Sequence, residues 1–268
     1  MALLRCTAHR SKILAIHLVH CRPRDHGCGP EECAPVDSVA FPLRGVFLKH
    51  HSRRERLVAD RCLALYFRAG EPYRVSHPAG CGDDCLSIEL APQTLRDIFG
   101  AETFPGTHAL LEAPRLRNSR LLVRRLPYAT PVEMEERALA LLAGASDARS
   151  VERANARQHD MVEATRITLA AQPEEAWSLS ALARRVHASP FYLARSFRRL
   201  AGMPLHGYQL QARLASALDD VLDTALDFTT IGLRLGFSSH SHFTAAFRRA
   251  FGATPSALRK EGKILTAR

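Results

Sequence analysis

The chain has 268 residues, is 46% hydrophobic and 24% charged, and carries a formal net charge of +10. That length holds two domains with separate cores, and the apolar share excludes a disordered chain. The positive balance suits a polyanionic partner, although arginine-rich chains can be basic without one, and no stretch approaches the ~20 apolar residues that cross a bilayer.

Near the start, Ile13 to Val19 is apolar but is interrupted by His17, and no small-residue cleavage pattern follows. It is expected to be an early strand or helix of a soluble domain. Short strands are expected at Val39–Leu43, Gly45–His50, Leu57–Ala59, Cys62–Phe67, Tyr73–His77 and Cys85–Leu90. Pro42-Leu43-Arg44-Gly45 and Ala69-Gly70-Glu71-Pro72 are predicted turns, and His51 to Arg56 an exposed charged loop. Many short strands with Gly/Pro turns suggest a small barrel or sandwich. Pro92–Phe99 is a predicted helix, Leu116–Leu126 a helix or strand, and Pro131–Leu142 a helix whose Glu133, Glu135 and Glu136 suit the positive end of its dipole. Gly144 to Asp147 breaks that helix, and another is expected from about Val151 to Ala171. The domain boundary falls near Gly144 to Ser150.

From Ser178 to Gly202 the pattern is two short helices joined by a tight turn. Ser178 or Ser180 can cap the first, and Ser189 the second, with Pro190 at its first position, where a missing N–H costs nothing. Leu193, Phe197 and Leu200 recur at helical spacing and should face inward, while Phe191, Arg195 and Arg198 point the other way. Such a unit is a helix-turn-helix whose second helix suits a DNA major groove. The pattern returns: Phe197-Arg198-Arg199 recurs as Phe247-Arg248-Arg249, and Gly202 as Gly252, fifty positions on. Leu182 matches Ile231 at an offset of forty-nine, so the second turn is one residue longer.

These residues resemble a known family. Leu182-Ala183-x-x-Val186-x-x-Ser189-Pro190-x-x-Leu193-x-Arg195-x-Phe197-Arg198-Arg199 is similar to the DNA-binding domain of AraC/XylS-type bacterial transcription regulators. So are the Tyr208 to Ala217 helix, the Gly236-Phe237-Ser238 turn, Phe243-x-x-x-Phe247-Arg248-Arg249 and Gly252-x-x-Pro255. The likeness runs from about Asn155 to Lys260. It implies seven helices, with two helix-turn-helix units bridged by a long one, reading major-groove segments about 34 Å apart. The N-terminal strand order resembles the cupin-like sensor domain that often precedes this unit.

In the first recognition helix, Arg195 can donate two hydrogen bonds to a guanine edge, and Phe191 can pack on a thymine methyl. Arg198 and Arg199 suit phosphates, and Ser189 and Tyr192 the DNA backbone. In the second, Ser239, His240, Ser241 and Thr244 are the candidate contacts, with Arg248 on phosphate. Ala245 stands where the family often has a longer polar residue, so the second half-site is expected to be read either weakly or mainly through phosphates and shape. His240 and His242, two apart on a helix, do not share a face and are not a metal pair.

All seven cysteines lie in the first 85 residues, an odd number that argues against a disulfide framework. The leading expectation is a zinc site of Cys21, Cys28, His77 and Cys85, with Cys33, Cys81 and His26 as alternative ligands. No Cys-x-x-Cys knuckle marks it. Exposed thiols sensing redox state or soft metals, and simple burial, are the competing readings. Cys6 and Cys62, in apolar surroundings, are assigned to burial. The His-x-His pair of catalytic cupins is missing, because His50 and His51 are adjacent and point to opposite faces. Some DNA-repair methyltransferases carry a similar reader domain beside a reactive cysteine. Cys81-x-x-x-Cys85 matches that chemistry only faintly, so no catalysis is expected.

The expected fold class is α+β: residues 1–128 a β-rich, cupin-like sensor or structural domain, 129–154 a helical linker, 155–268 the all-α double helix-turn-helix. The expected partners are promoter DNA and RNA polymerase, with homodimer formation open, no membrane and a cytoplasmic location.

Overall fold

An antiparallel hairpin, Ala2–Arg10 (β1) and Leu14–Arg22 (β2), opens the chain. The computed structural model describes residues 2–23, 27–51, 55–145, 148–149 and 155–266. Further strands are Glu32–Cys33 (β3), Ser38–Gly45 (β4), Phe47–His50 (β5), Arg56–Ala59 (β6), Leu63–Phe67 (β7), Pro72–Ser76 (β8), Asp83–Leu90 (β9), His108–Leu110 (β10) and Ala148–Arg149 (β11). Pro92–Phe99 (α1), Ala113–Arg125 (α2) and Pro131–Ala143 (α3) are helices of the same region. Then come Ala156–Ala171 (α4), Leu179–Arg185 (α5), Pro190–Ala201 (α6), Leu205–Asp223 (α7), Phe228–Arg234 (α8), His240–Phe251 (α9) and Pro255–Thr266 (α10). The class is α+β. Two compact units are distinguished, Met1–Ser150 with Gly262–Arg268, and Val151–Glu261. Among the residues singled out in the sequence, His26, Ser52 to Arg54, Ser146, Asp147 and 150–154 lie outside the described residues.

Among the described residues, the strands form a seven-stranded sheet, β1-β2-β9-β4-β7-β10-β11, and a four-stranded sheet, β3-β8-β5-β6. Side chains alternate between the faces of a strand, and β9 shows the consequence. Leu86, Ile88 and Leu90 join Ile16, Phe41 and Tyr66 in a core with Leu95 of α1, Leu122 of α2 and Leu141 of α3. Cys85, on the opposite face, packs with Phe47, Leu57 and Ala59 of the smaller sheet. The large sheet thus has helices on one face and a second sheet on the other. The segment at Leu116–Leu126 is helical, and the opening segment is the β1–β2 hairpin.

One expected turn is corrected. The chain does not reverse at Pro42-Leu43-Arg44-Gly45, because β4 continues to Gly45 with Pro42 opposite Cys85. The register slips between Pro42 and Arg44. Proline lacks the N–H a ladder needs, and a bulge accommodates it within a strand. Gly45 (φ +78°) then hands the chain to the second sheet. A Cβ there would lie 2.0 Å from the Gly82 carbonyl oxygen, so only glycine fits.

Lys49 is 1% exposed; its Nζ donates to the Tyr66 carbonyl at 2.6 Å and sits 4.0 Å from the centre of the Phe67 ring. Burial lowers its pKa from 10.5 to about 8. Between those values the unfolded chain binds a proton that the folded chain does not, so this group makes stability rise with pH across that window. Below about pH 8 the lysine is charged in both states and that increment is absent. Urea unfolding from pH 7 to 10.5 should show the rise in the wild type and its loss in Lys49→Met. Equal pH profiles would contradict the assignment.

Candidate functional site

Each helix-turn-helix is fixed by caps and a left-handed turn residue. Ser178 Oγ accepts from Ala181 N at 3.1 Å, and Ser189 Oγ from Tyr192 N at 3.3 Å, with Pro190 at the first helical position. In the second unit Asp227 accepts from Thr230 N at 2.9 Å and Ser239 from His242 N at 3.1 Å. These bonds satisfy orphan amides of the first turn. The turns superimpose in sequence as well. His187 (φ 51°) occupies the left-handed position that Gly236 (φ 78°) takes forty-nine residues later. Ala188 N to Ala183 O (2.9 Å) becomes Phe237 N to Gly232 O (3.0 Å). Ser238 is the extra residue, so both recognition helices start fifty positions apart and run twelve residues.

Burial separates the two faces of each recognition helix. Leu193, Phe197, Phe243 and Phe247 are all 0% exposed, whereas Phe191 is 76% exposed. Tyr192, Arg195, Arg198 and Arg199 of α6 are exposed too, as are Ser239, His240, Ser241, Ala245 and Arg248 at α9; Thr244 is half-buried. Leu200, expected inside, is also half-buried. No hydrogen bond or ion pair among the described residues engages Arg195, Arg198 or Arg248. Arg199 differs, because its Nη2 donates to Gln158 Oε1 of α4 at 2.7 Å. His242 Nδ1 is 3.0 Å from Ser238 Oγ, while His240 Nε2 lies 3.5 Å from Thr244 Oγ1, so the two imidazoles have different neighbours.

The α7 helix, nineteen residues long, ties the copies together. Phe197 meets Tyr208 of α7 edge-on at 5.4 Å. Arg213 of α7 donates to the carbonyls of Pro173, Glu175 and Gly236, a fork that spans the loop before α5 and the turn before α9. Arg234 of α8 pairs with Asp220 of α7. Sequence reasoning gave α7 a bridging role but did not single out Arg213, whose three acceptors are backbone oxygens with no sequence signal.

In the N-terminal unit a cavity of about 150 Å³ lies between the two sheets. Along β9 its wall runs from Asp83 and Cys85 to Ser87 and Glu89, with apolar sides from Val19, Phe47, Phe67 and Val75. At the Glu89 end, Arg5 and His17 (3.2 Å) contact the carboxylate. Burial opposes ionisation of Glu89, yet the Arg5 guanidinium and the His17 imidazole beside it hold its pKa below the ordinary value.

At the other end Cys21, His77 and Asp83, all buried, offer one ligand atom each within 4.8 Å of one another. His77 Nε2 is 2.5 Å from Asp83 Oδ1, and Cys85 Sγ donates to Asp83 Oδ2 at 3.2 Å. Of the four residues chosen from sequence, Cys21 and His77 come together around Asp83, with ligand atoms within 4.8 Å, and Cys85 is joined to them through Asp83. Cys28 is exposed; it joins the sheet by a backbone bridge to Ser76. Asp83 was missed because the strand was expected to start at Cys85, whereas β9 begins at Asp83 and puts it on the face of Cys85. Cys33 and Cys81 are exposed, Cys62 is buried as expected, and Cys6, expected inside, is exposed on the edge strand β1. Burial, then the Asp83 charge, pushes the Cys21 thiol up to about 11 and Cys85 well above its ordinary value. Metal-free, both are protonated thiols at neutral pH and poor nucleophiles.

A family model described as a helix-turn-helix domain matches residues 182–261. The chain is 30% identical over 93 residues to the probable transcription factor PqrA of Proteus vulgaris, covering 35% of this chain and 76% of that protein. It is 33% identical over 117 residues to the bifunctional transcriptional activator/DNA repair enzyme Ada of Escherichia coli (strain K12), covering 44% of this chain and 33% of Ada. Longer curated regulators are matched over only 27% to 30% of their own length. A solved AraC-type transcriptional regulator from Chromobacterium violaceum is 30% identical and covers 40% of this chain and 96% of its own, with a TM-score of 0.38. The chain belongs to the AraC family of helix-turn-helix transcription regulators.

Proposed function

We propose that this protein regulates transcription by binding duplex promoter DNA through α6 and α9, and that its N-terminal unit receives a small molecule in the cavity between its sheets. The observation that carries the first part is the set of exposed arginines without a partner among the described residues, Arg195 and Arg198 on α6 and Arg248 on α9, each on a helix whose opposite face is buried. A solvated basic face explains exposure once; it does not explain the same capped, left-handed turn built twice. Apolar walls with an ion pair at one end support an amphiphilic occupant for the cavity. RNA polymerase is the further partner in this reading. The repair reading and a thiol sensor at Cys21 or Cys85 are disfavoured because both sulfurs are buried and out of reach of an outside reagent.

Selection of bound duplexes from a random pool tests the proposal. A two-part sequence should emerge and bind at least about 10³-fold tighter than random DNA at physiological salt. Equal binding to all sequences would overturn it.

A further inference from the structure

We infer that Cys21, His77 and Asp83 form a zinc-type metal site at one end of the N-terminal cavity, with Cys85 holding the Asp83 carboxylate in place. This stands on the N-terminal unit and does not depend on DNA binding. Three donors of different kinds, a sulfur, an imidazole nitrogen and a carboxylate oxygen, converge within 4.8 Å and are buried. A thiolate in the set selects against calcium and magnesium and suits zinc. Tetrahedral zinc with bonds of about 2.0–2.3 Å places its ligand atoms roughly 3.4–3.7 Å apart. His77 Nε2 and Asp83 Oδ1, now 2.5 Å apart, need to separate by only about 1 Å; the ion takes the place of their hydrogen bond, the imidazole binding as its neutral Nδ1–H tautomer and the Asp83 carboxylate as the anion. Cys21 gives up its thiol proton to solvent as the Zn–S bond forms.

The backbone around the cluster is held in place. A Cβ on Gly82 (φ +65°) would lie 2.4 Å from the Cys21 carbonyl oxygen, and one on Gly45 would lie 2.0 Å from the Gly82 oxygen. Two glycines therefore let β2, the end of β4 and the start of β9 approach until Cys21 and Asp83 share a site. The Cys85 thiol, donating to Asp83 Oδ2, fixes the carboxylate rotamer, as partners outside a coordination sphere do. Cys21 and Asp83 also line the cavity, so a fourth position opens toward it and is completed by water or a donor atom of the cavity's occupant.

Metal analysis and cobalt(II) substitution of the full chain test the site. About one zinc per chain is expected, and the cobalt form should show a thiolate-to-metal charge-transfer band. Cys21→Ser should abolish that band, and Asp83→Asn should weaken metal binding by more than about tenfold. Cys28→Ser and Cys85→Ser should keep the band, since neither thiol is a ligand. Absence of bound zinc, or a cobalt spectrum without the band in the wild type, would overturn the proposal even if a variant fails to fold. Loss of the band in Cys85→Ser, with its far-UV circular dichroism unchanged, would overturn the three-ligand assignment.

Discussion

Phe247→Ala is expected to destabilise the C-terminal unit by about 3–5 kcal/mol, the usual cost of deleting a buried aromatic ring. Phe247 is fully buried, with ring centres 5.6 Å from Phe243 and 4.6 Å from Phe251. Phe243 in turn contacts Phe237 at 5.3 Å, just beyond the Gly236 turn. Removing the middle ring leaves a cavity between α9 and its support and loosens the helix that carries Arg248. A typical domain has only ~5–15 kcal/mol in reserve, so this one ring is a large share. The chain's single tryptophan, Trp177, lies in the same unit, so its emission during urea unfolding reports the loss. A shift below about 1 kcal/mol would show that α9 does not rest on this cluster.

Arg195→Ala is expected to weaken binding to the selected DNA site by about 1–3 kcal/mol and to relax base preference at one position. The reason is geometric. Arg195 projects from the exposed face of α6, one turn beyond Phe191, and no carboxylate among the described residues competes for it. Arg198→Ala should instead weaken specific and random DNA alike and lower the slope of log K against log salt by about 0.9. Arg199, bonded to Gln158, is the less free of the two neighbours and should contribute less to phosphate binding. Equal losses on specific and random DNA for Arg195→Ala would move that residue from base reading to phosphate contact.

The C-terminal unit was legible because its signals are local. Ser189-Pro190 announces a cap and a first helical residue, Gly202 and Gly252 mark left-handed ends, and the Leu193/Phe197 and Phe243/Phe247 spacing fixes the buried face. All of these act within one or two helical turns, and repetition doubled them. The N-terminal unit depends on long-range pairing. Pro42 looks like a turn because proline usually interrupts strands, and only the bulge opposite Cys85 shows how β4 continues. Asp83 looks like loop polarity because its relation to Cys21 and His77 requires the β2–β9 register, in which Cys21 sits opposite Asp83. The cavity itself has no sequence signature: its walls come from both sheets, and each strand contributes only alternate residues.

Hydroxyl-radical footprinting of the full chain on its selected duplex tests the central claim most directly. Two protected segments centred about 10.5 base pairs apart on one face of the duplex are expected, with Arg195→Ala weakening one and leaving the other. A single protected segment, or two that weaken together in Arg195→Ala, would contradict the account of two separately reading helices.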